Sequence, residues 1–205
     1  MRGLRRCTLI VICSLVGVVA LAPAARAADD YFLRIQGIPG DSTAAGLPSG
    51  PTPVDIQSFD WGATNPTVLG SATGGAGSGK TKLNDFTVTK SVDSASVPLF
   101  QHLATATQIP TMELVVRKAG AAPFIFLRYC FEHVYVTSES QSGSAGDLAE
   151  TVTFLYEAAG QTYVPQNSAG LAQPPLHFAW DQVLNAMAGP FSGPGPTVCT
   201  ASVVP

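Results

Sequence analysis

Few residues in this chain have a type and spacing suited to chemistry, and the best match is rich in glycine. Gly74-Gly75-Ala76-Gly77-Ser78-Gly79-Lys80-Thr81 satisfies G-x-x-x-x-G-K-[ST]. In that motif backbone N–H groups wrap phosphates and the lysine reaches the terminal one. The loop works only between a buried strand and a helix N-terminus. Here Lys82 to Thr89 alternates like a strand, and no later apolar strand ends in a magnesium-holding aspartate. The segment therefore reads as a flexible loop rather than a nucleotide site. His102, His133 and His177 fall on a helix, a strand and the tail, without zinc spacing. A nucleophile elbow occurs only in degenerate form around Ser78, and the carboxylates are scattered singly. The expectation is a non-enzyme with no catalytic residue, no cofactor and no metal.

Composition narrows the class further. The 205 residues carry 14 acidic and 11 basic side chains, net −3, with 46% apolar and 12% charged residues. The charged share is about half the ~25% usual for soluble chains, and hydrophobicity is too high for disorder. Nothing supplies a basic stripe for nucleic acid. Twenty Gly and 16 Pro exclude a coiled coil.

Residues 1–27 have the pattern of a secretory signal peptide. Arg2, Arg5 and Arg6 form the positive start, Thr8 to Leu21 is apolar, and Ala25-Arg26-Ala27 is a small-x-small cleavage site. The apolar run is shorter than the ~20 residues of a spanning helix, so no stable membrane span is expected after cleavage. The surroundings of Arg5-Arg6 fit the general route better than the twin-arginine one. Cleavage near Ala27 removes 4 of the 11 basic residues and no acid, leaving 7 against 14, net −7. It also removes Cys7 and Cys13. Cys130 and Cys199 then form an even pair in an exported chain, which permits one disulfide or two separate thiols.

The elements that must position these residues are mostly strands. Tyr31–Gln36 opens the domain, and Asp41–Pro53 is a long Gly-, Pro- and Ser-rich loop. Val54, Ile56, Phe59 and Trp61 form a strand whose parity slips near Ser58, the mark of a bulge. Leu83–Thr89 and Met112–Arg117 alternate. In Phe124–Ser138 the odd positions, including Tyr129, Phe131 and His133, are assigned to the core and Cys130 to the other face. Glu139–Gly146 reads as a polar loop, and Val152, Phe154 and Tyr156 form a closing strand. One short helix is expected after a Ser94 or Ser96 cap, with Pro98 in its first turn and Leu99, Phe100 and Leu103 along one side. In the tail, Leu176, Trp180, Val183, Leu184 and Met187 recur at helical spacing, which predicts a second, amphipathic helix. Such a helix would dock on the barrel or bind a partner; it lacks the basic residues of a membrane binder. The fold class is mainly β: a small β-barrel of two antiparallel sheets with one short α-helix, plus the C-terminal helix and tail.

Several segments, in order, resemble one family. Phe32-Leu33-Arg34-Ile35-Gln36-Gly37-Ile38-Pro39-Gly40, Phe59-Asp60-Trp61-Gly62, Leu83 to Lys90 with Asp93-Ser94-Ala95-Ser96, Val115-Val116-Arg117-Lys118-Ala119-Gly120, and Asp147 to Tyr156 with Tyr163-Val164-Pro165-Gln166 are similar to the Hcp family, tube proteins of type VI secretion systems. The resemblance implies a barrel assembled into hexameric rings that stack as a tube and carry effector proteins, with no catalytic residues. In such a ring, loops such as Asp41–Pro53 could bridge neighbours. With the signal peptide read at 1–27, the chain divides into that segment, an Hcp-like barrel (28–167) and a Pro/Gly-rich C-terminal extension (168–205). The competing expectation is a secreted monomeric barrel that binds a peptide, glycan or cell-envelope partner. Either way the mature protein belongs outside the cytoplasm, extracellular or periplasmic.

Overall fold

A computed structural model describes residues 29–47, 49–66, 79–120 and 122–188. In chain order the elements are β1 (Asp29–Ile35), β2 (Val54–Asp60), β3 (Ala63–Thr64), β4 (Lys82–Leu83), β5 (Phe86–Ser91), α1 (Ser96–Thr105), β6 (Ile109–Lys118), β7 (Phe124–Ser144), β8 (Asp147–Leu155), β9 (Ala158–Tyr163), β10 (Leu176–Asp181) and β11 (Ala186–Met187). Nine of the strands form one sheet in the order β11-β10-β9-β7-β6-β1-β2-β5-β8. An added β7–β8 pairing closes six of them, β7-β6-β1-β2-β5-β8, into an antiparallel barrel. β3 and β4 make a separate two-stranded ribbon. Mainly-β architecture and barrel closure with a single short helix agree with the sequence expectation.

Alternation explains the barrel interior. Phe86, Val88, Val152 and Phe154 face one another across the β5–β8 register. Phe86 stacks on Phe131 at 4.6 Å and lies 6.1 Å from Phe154, and Phe131 meets Tyr156 at 4.7 Å. Side chains thus fill the interior, as a small barrel requires. The bulge expected near Ser58 is present as a register shift between Ile56 and Ser58.

Strand β7 is the organising element. Its first half pairs with β6 on one edge and β9 on the other, and from Tyr135 onward that second edge passes to β8. At the changeover His133 adopts a left-handed backbone, φ +52°. One residue in that conformation reverses the alternation, so burial moves from Tyr129 and Phe131 to Val134 and Val136. His133 is therefore exposed, not a core residue as its parity predicted.

Four further expectations are corrected. The segment Glu139–Ser144 is not a loop but the end of β7, paired with β8 as far as Ser144↔Asp147 across a two-residue turn with Gly146 at φ +96°. Backbone pairing outweighs its polar composition. In α1 the N-cap position is Ala95 without a side-chain cap. Ser94 bonds to Asp41 instead, and Ser96 enters a buried ionic cluster. The helix buries Ser96 and Leu99, whereas Phe100 is exposed. Finally, the predicted C-terminal amphipathic helix is a β-hairpin, β10–β11. Leu176, Phe178 and Trp180 also fit a period of two, and the open edge of β9 takes all six residues of β10 in register. Asp181 accepts hydrogen bonds from Val183 N and Leu184 N, and Asn185 takes φ +52°, which together form the reversing turn.

Candidate assembly surfaces and the buried charges behind them

The outer face of β1 and β6 is covered by the loop at residues 41–53. Cross-strand partners Arg34 and Glu113 are both fully buried, 2.6 Å apart. Arg128 on β7 reaches the other carboxylate oxygen of Glu113, its Nε donating at 2.5 Å. Burial pushes the Glu113 carboxyl up against the pull of Arg128 and Arg34. Arg34 also donates to the Ser49 carbonyl, and a Cβ on Gly50 (φ +148°) would collide with its guanidinium. Farther along, Arg117 lies 4.7 Å over the Phe32 ring and donates to Ala45 O at 2.5 Å and Asp30 at 3.1 Å. Asp41 accepts from Ser94 Oγ at 2.6 Å and Ser94 N at 2.9 Å, bonds that lower its carboxyl. A loop that the family resemblance made a candidate bridge is thus fastened to its own barrel at several points.

A second buried cluster joins β5, α1 and β8. Lys90, fully buried, donates to Asp93 at 2.7 Å, Ser91 O at 2.9 Å and Ser96 Oγ at 3.0 Å, and lies 2.9 Å from Glu150. Ser96 in turn donates to Glu150. Glu139 approaches from β7, and its carboxyl is raised by burial and then by the charge and hydrogen bond of Glu150. Because the folded chain holds this proton more tightly than the unfolded chain, the associated stability is full in acid and lost as pH rises through the folded value. Glu139→Gln should therefore raise the urea midpoint at pH 7 over the parent, with the gap closing below about pH 4, near the ordinary Glu value; an equal midpoint at both pH values would refute the raised Glu139 carboxyl.

Tyr156 ties the closing strand to the β3–β4 ribbon. Its hydroxyl accepts from Trp61 Nε1 and donates to Asn84 O, both at 2.6 Å, and burial raises its phenol well above the ordinary tyrosine range. Tyr156→Phe removes both bonds without changing the packed ring. We expect a loss of about 1–3 kcal/mol in urea unfolding, the cost of leaving buried partners unpaired.

The residues first considered for chemistry are not brought together. His102 at the end of α1 contacts Thr107 O, His133 pairs with Glu157, and His177 meets Thr162. Among the described residues no group of three or more His, Cys, Asp or Glu suits a metal ion. Gly74–Ser78 lies outside the described residues, but Lys80-Thr81 leads into strand β4, not a helix, so the phosphate-loop context is missing. Cys130 is partly buried beside Ala158, Ala179 and Ala188, while Cys199 is outside the described residues.

What sequence reasoning missed is an apolar wing. Tyr163 opposes Leu176, and Trp180 opposes Met187. Phe178 stacks on Trp180 at 6.4 Å. Leu176, Phe178 and Met187 are 65%, 57% and 75% exposed, which groups large apolar side chains on one open face. Among the described residues β11 covers only the Asp181 end of β10, so Leu176–Phe178 also present an open strand edge. The signal for the wing was the period-two reading of Leu176, Phe178 and Trp180.

Buried ionic clusters that fasten loops, a closed barrel and an exposed apolar wing define a small β-barrel module. The family model described as "Type VI secretion system effector, Hcp" matches residues 32–163. The chain belongs to the Hcp family. A solved type six secretion system protein is 30% identical, with TM-score 0.72, covering 78% of this chain and 100% of its own. Hcp1 from Salmonella typhimurium is 27% identical, with TM-score 0.63, covering 78% and 99%. A type VI secretion system effector from Yersinia pestis shares the fold at 24% identity and TM-score 0.59, covering 74% and 99%. No curated protein matches. Among the described residues no helix is long and apolar enough to cross a membrane.

Proposed function

We propose that this chain is a tube-type structural subunit of a type VI secretion system, without enzymatic activity, that assembles into hexameric rings able to carry effector proteins. The observation that carries this reading is the apolar wing with its open edge, set on a barrel of the Hcp family. A heterologous contact, in which the wing of one copy meets a different face of the next, closes into a ring when the rotation fits. Export after cleavage near Ala27 supplies the mature chain, residues 28–205, and its net charge of −7 keeps unassembled copies apart. Residues 28–167 form the barrel domain in this reading and 168–205 the extension. Cys130 pairs with Cys199 in this reading, since Cys130 packs beside Ala188 and only ten residues of chain lie between Ala188 and Cys199.

Light scattering after size-exclusion chromatography of residues 28–205 tests the ring. A six-fold mass supports it, and Phe178→Asp should reduce that mass to a monomer. A strict monomer of the parent chain at high concentration overturns it. Intact mass under non-reducing conditions tests the disulfide, which two free thiols would exclude. N-terminal sequencing of the exported chain reads the cleavage site.

A further inference from the structure

A cavity of about 600 Å³ opens where β7 changes partner. Among the described residues, the formally charged side chains in its lining are Lys80, Lys82 and Glu157, with His133 beside them. His133 Nδ1 lies 2.7 Å from Glu157 Oε2, so the carboxylate is occupied. Neither Lys80 nor Lys82 has an ion-pair partner among the described residues, and both are exposed. The left-handed backbone at His133 is what turns this ring out of the barrel toward the cavity. Leu155 and Val183 supply apolar wall, and Tyr135 is held across it by the Gln108 amide at 3.1 Å.

We infer that this cavity binds a short peptide segment carrying acidic side chains beside aliphatic ones. Two unpaired lysines in a chain of net negative charge select an anion. The apolar wall and the volume select an organic body over a bare ion, since pockets of this size enclose ligands far larger than one phosphate. The carboxylates sit against Lys80 and Lys82, and an aliphatic side chain lies on Leu155 and Val183. His133, held by Glu157, fixes the far wall. The site takes Gln182 and Val183 from the turn of the wing hairpin but none of Leu176, Phe178 or Met187.

The test is fluorescence anisotropy of residues 28–205 with a fluorescein-labelled Leu-Glu-Leu-Glu-Leu peptide. The expected result is saturable binding, weakened about fivefold or more by Leu-Gln-Leu-Gln-Leu, the effect of losing exposed ion pairs. Lys80→Gln with Lys82→Gln should weaken the acidic peptide about tenfold or more, with the circular dichroism of the parent retained. Val183→Glu, which puts a like charge on the apolar wall, should weaken it also. Phe178→Asp on the wing should leave binding unchanged, so a failed ring and a failed cavity give different results. Equal affinity for the neutral peptide, insensitivity to the two lysines, loss of binding with Phe178→Asp, or competition by inorganic phosphate at equal concentration would each overturn the inference.

Discussion

Glu113→Gln should cost about 3–5 kcal/mol in equilibrium unfolding, because it keeps the shape of the side chain and removes the one charge that two arginines share. Arg34 is completely buried and cannot shed its proton, so without the Glu113 carboxylate its charge has no anionic partner among the described residues. Arg128 is largely buried on the other side of the same carboxylate. The loop at residues 41–53 should loosen with it, since Arg34 is one of the groups that holds it. Protection of the Ser42 amide, which donates to Pro53 O at 3.0 Å, should fall in hydrogen exchange. The triple variant Arg34→Met, Glu113→Leu, Arg128→Met should recover most of the loss, because a buried ionic group replaced as a whole by apolar residues is often neutral. A single Glu113→Gln change below 1 kcal/mol would show that the triad is solvated and that the loop does not seal it.

Phe86→Ala should cost about 3–5 kcal/mol, by lost burial and by the cavity left inside a closed barrel. Phe86 is fully buried and contacts the rings of Phe131, Phe154 and Phe59, which come from three different strands. A closed sheet cannot collapse onto the space as two opposed layers can, so the upper part of that range is expected. The measurement is the urea midpoint with unchanged slope. Phe86→Leu should lose less than half as much, because it refills most of the volume. An Ala variant within 1 kcal/mol of the parent would mean that the barrel interior is not packed at this layer.

The strands were legible because the barrel has one interior and alternation records it directly. Phe86, Val88, Val152 and Phe154 are where period two places them, and the slip at Ser58 is a real bulge. Three features were not legible, each for a stated reason. Leu176, Trp180, Val183 and Leu184 satisfy a helical period by coincidence, and the open edge of β9 decided in favour of a strand. The reversal at His133 depends on one backbone angle that no side-chain pattern encodes. The serines before α1 look like caps, but their hydroxyls go to Asp41 and to the Lys90–Glu150 pair, partners that are distant in sequence. Of the site, Lys90 and the Asp93-Ser94-Ala95-Ser96 stretch were visible as a motif, while the Arg34–Glu113 pair was hidden in two apolar strands. The clue was a charge on the nominally outer face of each, which implied a cover that only the loop at residues 41–53 provides.

Strand β7 gives the subunit a mechanical character. Its 21 residues run roughly 70 Å, and the same backbone is a stave of the barrel and the root of the wing. A force applied to β10 along the strand direction passes through β9 into β7 as shear, loading many hydrogen bonds at once. A peeling force would break them one by one and would find its easiest start at the short β11 edge. In the proposed ring, a wall of such barrels is stiff along the strands and yields first at its joints, so distortion falls on the contacts between copies before it reaches the barrel.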